Sequence, residues 1–252
     1  MTHPRPAAAN GSPDELLARA EDGDVSAFAR LVRLRHETVT RAALVVTLDA
    51  AAASLAATEA FGQAWRAMRS GAWSGSRRPR DADELDRWLG AAAVHEGVRL
   101  LELRSAVNSY PDAGVPPISA PVDPGPLSGL DADDRALLAL AVWLGLPARD
   151  PARASRRHQA GIEARLDHLV AAVLGEHPAG DDPLEGRRRL RARLVAWSAA
   201  LPVPQVDPDR VARVALAAEV HQREHRVSIA IGFVAGLAVA TYPFWAPLLV
   251  RR

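Results

Sequence analysis

The chain has 252 residues, 48% of them hydrophobic, with 31 basic and 30 acidic side chains and a formal net charge of +1. That much apolar material excludes a wholly disordered chain, and so small a net charge excludes a global attraction to nucleic acid, so any such surface has to be local. No cysteine is present, which excludes disulfides, thiolate nucleophiles and cysteine-bound zinc.

Aromatic residues make up only 5% of the chain and alanine is abundant, so strands, which favour β-branched and aromatic side chains, are poorly supplied. An all-α fold is predicted. Every basic residue is arginine, a uniformity that fits a GC-rich coding bias better than a demand for guanidinium chemistry at particular sites.

Residues 1–12 are predicted to be a disordered N-terminus, and MTHPRPAAANG has no apolar run of signal-peptide length, so no export leader is expected there. Ser12 followed by Pro13, Asp14 and Glu15 has the pattern of a helix start with a capping box. After a Gly23-Asp24 break, Phe28, Leu31, Leu34 and Val39 sit on a helix that reaches about Thr47. Helices over 50–69 and 83–104 complete a first helical domain, 13–104.

Six prolines fall in SAVNSYPDAGVPPISAPVDPGPLSG, too many for a helix interior or a central strand, so 105–129 reads as an interdomain linker. Helical pattern resumes at Asp131, breaks at Gly145 and Pro147, and restarts with Asp150 as N-cap and Pro151 at the first helical position. This gives a second domain, 130–175. Beyond the breaker-rich GEHPAGDDP, the basic stretch RRRLRARLVAWSAAL forms one helix and Asp207-Pro208 opens another, so 183–226 is predicted as juxtamembrane helices.

The 24 residues from Val227 to Val250 carry no charge, against roughly 20 needed to cross a bilayer as a helix. A rise of ~1.5 Å per residue makes that stretch about 36 Å long, enough for a hydrocarbon core of ~30 Å with some tilt. Tyr242 and Trp245 lie near its far end, where amphipathic rings favour the interface. Arg210, Arg213, Arg223 and Arg226 precede it and only Arg251 and Arg252 follow, which predicts a single-pass anchor in the cell membrane with the preceding domains in the cytoplasm.

Residues 61–80, FGQAWRAMRSGAWSGSRRPR, contain five Arg, two Trp and no acid. Guanidinium groups neutralise phosphate and indoles offer faces to unstacked bases, so Trp65, Arg66, Arg69, Trp73, Arg77, Arg78 and Arg80 are candidate nucleic-acid contacts. The alternative is Trp65 in the core and residues 70–80 as a basic loop. Arginines also cluster in DPARASRRHQAGIEARL, yet residues 130–175 hold six acids against six Arg, less basic than a DNA reader usually is. HQREH at 221–225 has the spacing of an inverted zinc-protease motif, but no Asp, Glu, His or Cys follows His225 to supply a third ligand. A solvated juxtamembrane helix is the reading taken. No catalytic residue, metal site or cofactor is expected.

GDVSAF with Leu31, EAFGQAWRAM at 59–68 and RWL at 87–89 resemble, in order and spacing, the signatures of the first conserved block of the extracytoplasmic-function sigma factors of bacterial RNA polymerase. In the second block Leu130, Arg135, Leu138 and Leu140, then Asp150, Ala152, Ile162, Arg165 and Leu166, stand at that family's positions. The resemblance covers residues 14–174 as a spaced pattern. It departs at Ser54, Leu55 and Thr58, where the family carries an acidic pair and a glutamine, at Val94-His95, where it carries Arg-Asn, and at Ser155, Arg157 and Glu163 in the second block.

The resemblance implies a region 2-like domain that binds core RNA polymerase through Thr58, Glu59, Phe61 and Gln63 and the −10 promoter element through the Arg/Trp stretch. It implies a region 4-like helix-turn-helix contacting the −35 element through Arg156, Arg157, His158, Gln159 and Arg165. The expected function is a membrane-tethered, sigma-factor-like transcription regulator with polymerase and promoter DNA as partners. The alternative is a membrane-anchored interaction protein that keeps the scaffold, binds an anti-sigma or other regulatory protein, and has lost promoter binding.

Overall fold

The computed structural model describes residues 11–73, 78–108, 123–147, 159–175, 183–201 and 207–217, and every regular element among them is helical. Helix α1 spans Pro13–Glu21, and its start is the capping box the sequence predicts: the Glu15 N–H donates to Ser12 Oγ at 3.2 Å and the Ser12 N–H to Glu15 Oε2 at 2.9 Å. Helix α2, Val25–Thr47, starts on Asp24, whose carboxylate accepts the N–H groups of Ser26 and Ala27. The Ala27 N–H, and next to it Arg19, hold that carboxyl below its ordinary pKa.

Only Leu48 and Asp49 separate α2 from helix α3, Ala50–Ser70. Leu48 takes a left-handed conformation at φ 50°, and Asp49 caps α3 by accepting the N–H groups of Ala51 and Ala52 at 2.9 Å each. Helix α4, Ala82–Asn108, runs past the expected end at Arg104, since no proline or glycine follows until Pro111. Buried alanines at 52, 53, 56, 57, 60, 64 and 67 let α3 pack against both α2 and α4. Leu16, Phe28, Leu31, Phe61, Trp65, Leu85 and Leu89 fill the space between the four helices.

A 3₁₀ turn, Gly125–Leu127, inserts Leu127 into a second apolar cluster. Helix α5, Ala132–Leu138, begins on Asp131 as N-cap and passes into a π turn, Ala139–Trp143, which ends at Gly145 with φ 65°. Helices α6, Gln159–Leu174, and α7, Pro183–Ala200, follow, and residues 208–217 form α8. Asp150 and Pro151 lie outside the described residues, as does 227–250; among the described residues no helix is long and apolar enough to cross a membrane.

The second cluster joins Leu138, Leu140, Ile162, Leu166, Leu190 and Leu194 to Ala42, Val45 and Val46 of α2 and Val94 of α4. Residues 130–175 therefore complete their core with α7 and with the back of the first bundle. Arg135 fixes the junction by donating to the Val46 carbonyl at 2.7 Å and to the Leu130 carbonyl. Gly90 admits Leu144, whose Cδ2 would lie 2.5 Å from any Cβ added there. Arg41 of α2 donates to the Ser198 carbonyl at the end of α7.

Arg135→Ala leaves two carbonyls without their donor and should lower stability by about 1–3 kcal/mol, measured by denaturant unfolding; an unchanged midpoint would remove Arg135 from the junction. A second expectation concerns His36, which is buried on α2 with Nε2 unpartnered, and whose pKa is lowered by desolvation, opposed by the Glu37 charge. The unfolded chain takes up that proton first. Stability should therefore fall as pH drops below the unfolded value of about 6.5 and level off below the lowered folded value. His36→Leu should reduce the slope in that window, and an identical pH profile would contradict the assignment.

Candidate polymerase and nucleic-acid interface

On α3, positions 55, 59, 62 and 66 are successive turns of one helix face. Glu59 and Arg66 bracket Gly62 on that face and form an ion pair at 2.6 Å. Thr58 donates its hydroxyl to the Ser54 carbonyl at 2.8 Å, and the Gln63 amide donates to Glu96 of α4 at 2.6 Å. These three polar side chains, Thr58, Glu59 and Gln63, are half-buried around Gly62. Phe61 is different: it is 1% exposed and belongs to the core.

The Arg/Trp stretch is divided in the same way. Trp65 is 3% exposed, with its ring 4.8 Å from Phe28, so it offers no face to a base. Arg69 is exposed and lies over the Trp65 ring, 5.9 Å from the centroid. Trp73 is half-buried, edge-on to Trp88 at 5.1 Å, and this pair is the aromatic surface nearest the basic loop. Arg78 makes two hydrogen bonds to Glu21 of α1, at 2.7 and 2.5 Å, and the pair raises its pKa further. Arg80 is exposed; Arg77 lies outside the described residues.

In the second block Arg156, Arg157 and His158 lie outside the described residues, and Gln159 is described only as the first residue of α6. Arg165 is exposed but is held by a carboxylate of the neighbouring helix. Its Nε and a terminal nitrogen donate to both carboxylate oxygens of Asp134 on α5, at 3.0 and 2.5 Å. Asp134 is 8% exposed, so this is a clamp between α5 and the expected recognition helix, while the expected first helix of the pair, starting at Asp150, lies outside the described residues. Glu163 is exposed beside it. A cleft of about 600 Å³ opens there, with Val142, Leu146 and Leu166 as its floor and Arg187 and Arg191 at its rim. Arg187 is paired with Asp167 at 2.7 Å.

Asp134 and Glu21, the partners of two arginines expected to contact DNA, carry no local sequence signal. Nor does the contact of α8 with α2 and α3. Val211, Ala212 and Ala215 of α8 are buried in the first core, Asp209 pairs with Arg33 of α2 at 2.6 Å, and the Ala215 Cα would lie 3.9 Å from a Cβ added at Gly62. Only the Asp207-Pro208 helix start was visible in advance. Among the described residues no group of three or more His, Asp or Glu could hold a metal; His221 and His225 lie outside them.

Trp65→Ala should behave as a core deletion and cost about 3–5 kcal/mol of stability. Trp73→Ala should leave the unfolding midpoint much closer to wild type, and comparison of the two by denaturant unfolding checks the division; equal losses would place both rings in the core. Comparison of the chain with family models, with curated proteins and with solved structures gave no match.

Proposed function

We propose that the chain is a membrane-tethered, sigma-factor-like transcription regulator that binds core RNA polymerase through the α3 face around Thr58, Glu59 and Gln63 and engages promoter DNA through its basic loop. One observation carries the reading. Phe28 and Leu31 from the first resembling stretch, Phe61 and Trp65 from the second and Leu89 from the third meet in one core. Apolar residues of any small helical bundle share its core; the support here is that the resembling stretches keep the family's order and each places its large apolar side chains in that core. Residues 227–250 supply the anchor, and polymerase and DNA binding require the soluble helices to face the cytoplasm.

The test uses the full chain, because α7 contributes Leu190 and Leu194 to the second core and a truncation near residue 176 would remove them. Pull-down of purified core polymerase at micromolar chain concentration should succeed and promoter-dependent transcription should follow. Absence of capture both by the full chain and by a full-length variant with α8 displaced from Gly62 would overturn the reading.

A second reading has its own support. Arg66, Arg78 and Arg165 are each paired with an acidic side chain of the chain itself, a state that suits a scaffold binding protein partners without DNA. Exposed ion pairs are weak and can be exchanged for phosphate, so the salt dependence of binding separates the two readings. Under the first, replacing Arg78 and Arg80 by Ala should weaken binding to promoter-fork DNA and lower the log–log salt slope by about 0.7 to 0.9 per lost contact. An unchanged slope supports the scaffold reading.

A further inference from the structure

Helix α8 has a defined start, since Asp207 accepts the Asp209 N–H at 2.9 Å and its carbonyl accepts the Val211 N–H at 3.1 Å. Its apolar side, Val211, Ala212 and Ala215, is at most 2% exposed and lies in the core cluster shared by α1, α2, α3 and α4. The helices come together at small residues. Ala215 sits over Gly62, and a glycine there removes the side chain that would otherwise hold two backbones apart. At the other end Arg33 of α2 donates to Asp209 at 2.7 Å.

Gly62 stands at the centre of the α3 face on which Thr58, Glu59 and Gln63 are placed. A partner that approached this face closely would meet α8 first. Residues 218–226 alone separate α8 from the uncharged stretch beginning at Val227, so the cover on the face and the proposed membrane tether are consecutive parts of one segment.

We propose that α8 is an internal competitor for the α3 face: while docked over Gly62 it excludes core polymerase, and its release, whether by movement or cleavage of the membrane-proximal segment, exposes the binding surface. This rests on the polymerase-binding reading above. The energetic requirement is modest. Where the binding-competent state is one tenth of the population, apparent affinity falls about tenfold.

The experiment compares the full wild-type chain in detergent with Ala215→Arg, with Asp209→Arg, and with the charge swap Arg33→Asp/Asp209→Arg. Core polymerase affinity is measured by titration, and α8 docking by the rate of thermolysin cleavage before Val211, Val214 and Leu216, apolar sites that none of the substitutions adds or removes. Ala215→Arg places a long cation against α3 and should accelerate cleavage and tighten polymerase binding about tenfold. Asp209→Arg should act in the same direction by less, and the charge swap should return both readouts toward wild type. The swap lies on the surface, so it keeps the test decisive even where Ala215→Arg fails to fold. Faster cleavage with unchanged polymerase affinity overturns the competition and leaves polymerase binding standing. Equal cleavage rates in wild type and variants overturn the docking itself. No polymerase binding by any of the four proteins overturns both this inference and the proposed function.

Discussion

The last turns of α2, residues 42–47, are enclosed on every side. Ala42, Val45 and Val46 face the second cluster while Ala43 and Leu44 face the first, and all five are fully buried. An amphipathic surface helix has a single apolar stripe; a helix that is apolar all round must be covered all round. The positions of α5, α6 and α7 follow from this constraint. With them removed, Val45 and Val46 would face water, and with α2 removed, Leu138 and Leu166 would lose part of their cover. The Arg135 bonds to the Val46 and Leu130 carbonyls then set the orientation, because a guanidinium donates along fixed directions.

This arrangement has consequences for function. Under the proposed function the two helical blocks would have to adjust to the spacing between two promoter elements, and here residues of both share one core. Helix α8 adds a second restraint by occupying the α3 face at Gly62. The described chain is closed in both respects, and three of the arginines expected to contact DNA are paired within it, Arg78 with Glu21, Arg66 with Glu59 and Arg165 with Asp134. Under the proposed function, activation would require opening, and the surface ion pairs offer little resistance. The apolar junction at Ala42 to Val46 is the barrier that counts.

The helix starts were legible in the sequence because caps are local: Ser12, Asp131 and Asp207 each carry a polar acceptor a few residues ahead of an apolar pattern. The end of α4 was placed four residues early, at Arg104, where the apolar pattern thins, although the helix continues until the prolines approach. Trp65 was ambiguous in principle, since an indole beside arginines is the same string whether it stacks on a base or fills a core. The Phe28 contact that decides the matter comes from the preceding helix, 37 positions away in sequence. The ion pairs were illegible for the same reason: Arg33 with Asp209 spans 176 positions and Arg78 with Glu21 spans 57. Nothing in a one-dimensional charge pattern couples such residues.

Native-state hydrogen exchange tests the shared core most directly, because amides that open together report a common free energy. The amides of α2 at 42–47, of α5 and of the buried face of α6 should respond to denaturant with one common opening free energy and slope. Exchange of α5 and α6 at a markedly lower free energy, with α2 still protected at 42–47, would show that the second block leaves the first freely and would contradict the closed arrangement.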